Sequence, residues 1–148
     1  MSIDRKDFFS RTMHTPDSPE RAAQRTALRE ISKALIPLHR ALIEAIRDDY
    51  SFAYGPIATA GQLLQLVHDD PFFAWLKPLT ALIVDIDEMA RVDFSHDDAM
   101  AIADRVERLF GVNVEPAFAE RYVPLLQREV DIAVGHAGVR RALLQLRG

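Results

Sequence analysis

Three residues have both a type and a position that suit chemistry. His39 lies on the apolar stripe of a predicted helix, between Leu35 and Leu42-Ile43. His136 lies on the stripe of the last predicted helix, four residues after Ile132 and three before Val139. Asp87 stands at the edge of an apolar face, four residues after Ile83. Helices in a bundle bring such positions together, and an imidazole beside a carboxylate makes a proton-transfer pair or the start of a metal or haem site. Each residue also has a structural reading. A histidine on an apolar face commonly completes a hydrogen-bond network, and Asp87 has Arg91 one turn further on as an ion-pair partner. His39, Asp87 and His136 are therefore weak candidates; no catalytic residue, metal ligand or cofactor is assigned, and the balance leans against an enzyme.

Other chemistries find no support. The chain has no cysteine, which removes thiolate zinc sites, iron–sulfur clusters and cysteine nucleophiles. Walker A, G-x-G-x-x-G and G-x-S-x-G patterns are absent, and six glycines leave little material for phosphate-cradling loops. A di-iron site asks for two Glu-x-x-His motifs on facing helices, and none is present. Asp93-Phe94-Ser95-His96 has the spacing but falls where a helix starts. The acids Asp85, Asp87, Glu88, Asp93, Asp97 and Asp98 lack the alternation and glycine of an EF-hand, and read as a solvated helix end followed by acids at the next N-terminus. Net charge is −4 with no basic block, so no nucleic-acid partner is expected. The longest apolar run, Leu79 to Ile86, is too short to span a bilayer, and no apolar leader opens the chain; a cytoplasmic location is expected.

The elements that must position these residues are helical. At 148 residues the chain suits one domain, with residues 1–17 as an arm and 18–148 as a single helical bundle. In the arm, Ser2 suits the cap of a short turn and Ile3, Phe8 and Phe9 are its docking residues. Ser18-Pro19-Glu20 starts a helix, and Leu28, Ile31, Leu35, Leu38, Leu42 and Ile46 carry its stripe to about Tyr50, with Pro37 bending it on the opposite side. Pro56 is read as opening a shorter helix to about His68, with Phe52 and Tyr54 covering the corner before it. Asp70-Pro71 opens a helix whose stripe is Phe72, Leu76, Leu79, Ile83 and Ile86, bent at Pro78 and apolar on enough sides to be the central element. Ser95 with Asp98 suggests a capping box, Phe94 a hydrophobic staple and Gly111 a C-terminal cap. Glu115-Pro116 opens the next helix, which either bends at Pro124 or breaks near Asp131. Ile132, Val139, Leu143 and Leu146 stripe the last. No strand alternation appears, so the fold class is all-α: an irregular bundle of five to seven helices with proline-kinked long members. Leu35-Ile36-Pro37-Leu38 echoes Leu76-Lys77-Pro78-Leu79, which two leucine-rich helices would produce by chance.

The stretch LLQLVHDDPFFAWLKPLTALIVDIDE, residues 63–88, and GHAGVRRAL, residues 135–143, resemble segments of uncharacterised small all-helical bacterial proteins. The resemblance implies a fold unit of its own and no activity, so it carries no residue role. The expected function is protein association, as a homodimer or as a module for another protein. An apolar excess on the central helix and the off-stripe Leu144 point that way. The competing expectation is a metal- or haem-binding bundle, or an enzyme, built on His39, Asp87 and His136.

Overall fold

The computed structural model describes residues 16–148, which fold into seven helices and contain no strand. The turn expected at Ser2 and the docking of Ile3 and Phe8-Phe9 lie outside the described residues.

Helix α1, Pro19–Tyr54, is the spine. Ser18 caps it, its Oγ accepting from the Arg21 N–H at 3.1 Å, and Pro19 takes the first position, where a missing N–H costs nothing. Every residue of the expected stripe is buried. The helix runs past Tyr50 to Tyr54 because nothing stops it before Gly55, whose φ of +98° a side chain would resist. Pro37 faces solvent and the helix continues through it, so the lost backbone bond falls on the wet side.

Two expectations about the middle of the chain are overturned. Pro56 does not open a helix. Helix α2, Ala60–Asp69, is capped by Thr59, whose Oγ1 accepts from the Gln62 N–H at 3.1 Å while Gln62 Oε1 accepts from the Ala58 N–H at 2.9 Å. This Thr-x-x-Gln reciprocity satisfies two donors, where Pro56 would satisfy none. The segment before it is held by buried Ile57. The helix expected from Pro71 onward is likewise two: α3, Pro71–Ala74, and α4, Lys77–Met89. Asp70 caps α3 as expected, its Oδ1 accepting from the Phe72 N–H at 2.8 Å. Pro78 then breaks the chain rather than bending it, since its ring would collide with the carbonyl of Ala74 in a continuous helix. Pro78 stands instead at the start of α4. Leu-x-Pro-Leu thus serves two roles, helix interior at Pro37 and helix start at Pro78.

The connection after α4 is clamped onto α1. Arg25 binds Asp17 at 2.8 Å and the carbonyls of Ala90 and Val92 at 2.8 and 2.9 Å. The guanidinium groups of Arg21 and Arg25 each lie 5.0 Å from the centre of the buried Phe94 ring. Helix α5, His96–Phe110, begins with the full capping box: Ser95 Oγ accepts from the Asp98 N–H, and the Asp98 carboxylate accepts from the Ser95 N–H. Those bonds hold the Asp98 carboxyl below its ordinary range. Gly111 ends α5 in extended backbone with φ −94°, not in the left-handed region expected of a helix-ending glycine. Its requirement is space: a Cβ there would lie 2.5 Å from the Glu107 carbonyl oxygen.

Helix α6, Pro116–Arg128, keeps Pro124 in its interior, and the chain breaks at Glu129 before α7, Val130–Arg147. Helix α7 packs along α1 more extensively than any other helix does, and α4 packs on α1 as well. The central element is therefore α1, not the helix after Pro71. Close approach is built in: a Cβ on Gly135 would lie 3.1 Å from Leu38 Cβ, and one on Gly138 would lie 3.6 Å from Ala34 Cβ. Leucine, isoleucine and aromatic side chains from six helices and the connections join in one core. Among the described residues no helix is long and apolar enough to cross a membrane.

Candidate functional site

His39, Asp87 and His136 each have a different partner, and no hydrogen bond or ion pair joins any two of them. His39 Nε2 lies 3.1 Å from Thr80 Oγ1, tying α1 to α4. The Thr80 hydroxyl in turn reaches the Leu76 carbonyl at 3.3 Å, which leaves its oxygen to accept from the imidazole. Burial pushes the His39 pKa below its ordinary 6.5. Asp87 is exposed and pairs with Arg91 at 2.8 Å, one turn along the same helix. Such a surface pair contributes little and positions nothing beyond itself.

His136 is the most structured of the three. Its Nδ1 lies 2.7 Å from the hydroxyl of Tyr122, a side chain buried between α5 and α7. Burial pushes the Tyr122 hydroxyl far above its ordinary 10, so it stays protonated. Burial and then the charge of Arg140 push His136 below 6.5. A phenol hydroxyl both donates and accepts, so it pairs with Nδ1 of the neutral imidazole in either tautomer. The pair satisfies two polar groups inside an aromatic cluster, with Phe110 edge-on to both rings and Phe118 stacked on Tyr122 at 5.1 Å. Among the described residues no three His, Cys, Asp or Glu side chains group closely enough to hold a metal ion.

The same aromatic cluster leads to a cavity. Trp75, at the break between α3 and α4, meets Phe118 edge-on at 5.3 Å. Beside it a partly open cavity of about 390 Å³ lies among α4, α5 and the start of α6, walled by Trp75, Leu82, Leu109 and Phe118. Trp75 and Pro78, at the break between α3 and α4, both line this space. Three charged groups share the lining: Arg105, Arg108 and Glu115. Arg105 is held by Asp85 at 2.7 Å. The loop carrying Glu115 is fixed by its N–H donating to the Arg108 carbonyl at 2.8 Å. Sequence reasoning missed Arg108 and Glu115. Arg105 and Arg108 share one edge of the α5 stripe, but no spacing joins them to a glutamate that a loop returns.

A second feature lies at the other end of α1. Phe52 is 95% exposed, Tyr54 69% and Leu64 71%. Phe52 does not cover the corner as expected, although the Tyr54 ring leans on Tyr50 and Phe72 at 4.9 and 6.0 Å. On helix α2, Leu63, Leu66 and Val67 are half-buried against the core, none of them fully, and Leu64 is exposed. On α7, Leu144 is exposed as expected from its place off the stripe.

Comparison of the chain with family models, curated proteins and solved structures gives no match.

Proposed function

We propose that this is a cytoplasmic protein that acts by non-covalent association, as a homodimer joined through the end formed by the last turn of α1 and by α2. The observation that carries the reading is α2 itself. It is amphipathic and leucine-rich, it is capped at its start, and it packs chiefly on short α3; Leu63, Leu66 and Val67 are only half-buried against the core and Leu64 is exposed. A helix of ten residues is too short to persist on propensity alone and draws its stability from packing of its apolar face. Leu64 on its surface, and Phe52 in the last turn of α1, are large apolar side chains that gain nothing from water.

A second copy is the simplest occupant. It brings the same apolar residues to a self-complementary contact about a two-fold axis, and the flanking charges are mixed, with Arg47, Asp48 and His68 nearby in sequence. In a dimer of this kind, amide hydrogen exchange over residues 52–69 slows as protein concentration rises, while exchange in the middle of α1 does not change. Exchange over 52–69 that is independent of concentration from micromolar to hundreds of micromolar contradicts the reading.

A further inference from the structure

We propose that the cavity beside Trp75 is a binding site for a small zwitterion with an apolar body, of which an aromatic α-amino acid is the simplest example. The inference is independent of how the chain associates.

Shape and lining set the apolar part. The cavity, about 390 Å³, falls within the range of small-molecule sites, roughly 300–1,000 Å³. Trp75 and Phe118 present aromatic surface to it, and Leu82 and Leu109 complete the wall. Trp75 is only partly buried although it is the largest side chain in the chain and has Phe118 against it.

Charge sets the rest. Of the three charged groups that line the cavity, Arg105 is already held by Asp85. Arg108 and Glu115 are of opposite sign, face the same space and form no ion pair with each other or, among the described residues, with any other side chain. Both side chains are exposed, and their main chains are joined by the Glu115 N–H donating to the Arg108 carbonyl at 2.8 Å. A purely anionic ligand would meet Arg108 but also the uncompensated Glu115. A purely cationic ligand would meet the reverse. A molecule carrying both an ammonium and a carboxylate complements both groups, and its apolar side chain enters the aromatic space. Charge-assisted hydrogen bonds to the guanidinium and the carboxylate then orient it.

Trp75 is the only tryptophan, so its emission reports the site directly. The probes are phenylalanine, phenylalaninamide, which lacks the carboxylate, and N-acetylphenylalanine, which lacks the ammonium. Phenylalanine is expected to change Trp75 emission saturably, with each single-charge analogue binding about threefold more weakly or worse. Arg108→Gln should weaken phenylalanine and N-acetylphenylalanine while sparing phenylalaninamide; Glu115→Gln should weaken phenylalanine and phenylalaninamide while sparing N-acetylphenylalanine. Ala81, exposed on α4 and lining the cavity, allows an occupancy control: Ala81→Phe fills the space and should abolish the response without changing the helical signal. The proposal is overturned if phenylalanine gives no saturable change, if N-acetylphenylalanine or phenylalaninamide binds as well as phenylalanine, or if Ala81→Phe binds like the unaltered protein.

Discussion

At the scale of single residues, the two histidines are half-buried polar struts at the edge of a helical core. His39 ties α1 to α4 through Thr80, and His136 ties α7 to α6 through Tyr122. Their places on apolar stripes were legible in the sequence, because a period of three and four residues fixes which side of a helix faces inward. Their partners were not legible, because a threonine forty-one residues away and a tyrosine on another helix carry no local signal. Both imidazoles have pKa values below the ordinary 6.5 in the fold, so neutral rings suit the native state. As pH falls, the unfolded chain takes up protons first. The stability these groups contribute is therefore complete above about pH 6.5 and is lost as pH drops toward the folded values. The urea midpoint should fall between pH 7.5 and pH 5, and His39→Gln with His136→Gln should flatten the dependence. A midpoint that rises over that window would contradict the assignment.

At the scale of elements, prolines and caps decide where helices begin, and packing decides which of them is central. Ser18-Pro19, Asp70-Pro71, Ser95 with Asp98 and Glu115-Pro116 all mark real helix starts. Pro37 and Pro78 sit in nearly identical local sequence and behave differently. Pro37 lies in a helix long enough to keep its course on the strength of α1–α7 packing, whereas Pro78 follows a helix of one turn that meets α1 over a much smaller area. That difference belongs to tertiary structure. So does the identity of the spine: a broad apolar circumference drew attention to the helix expected from Pro71, but length and two glycines on the facing helix gave the role to α1. The glycines yield a contrast. At Gly138 an added methyl meets Ala34 at an ordinary 3.6 Å, so Gly138→Ala should raise stability by about 0.5–1 kcal/mol, the helix-propensity gain. At Gly135 the methyl meets buried Leu38 at 3.1 Å, and the tight contact offsets that gain. Denaturant unfolding should therefore rank Gly138→Ala above Gly135→Ala; the reverse order would show that α7 is not seated on α1 in this way.

At the scale of the whole molecule, the all-α class follows from composition and period. The surface does not, since exposure at one end of a bundle depends on what the other helices leave uncovered. The expected apolar excess on the helix after Pro71 is largely consumed by the core, with Val84 half-exposed. Among the described residues the exposed large apolar side chains include Phe52, Tyr54 and Leu64, in a stretch whose turn chemistry was read as closing a corner, and also Val112, Val130, Val134 and Leu144 elsewhere. The cavity beside Trp75 is a product of the same scale, assembled from three helices and a loop. The proposed association of two chains through the α1–α2 end is tested most directly by the molar mass in solution. Light scattering on the eluting protein at tens of micromolar should give the mass of two chains, and Phe52→Ser with Leu64→Asp should return the mass of one with helicity unchanged. A mass of one chain for the unaltered protein at that concentration, or a dimer that survives both substitutions, would contradict it.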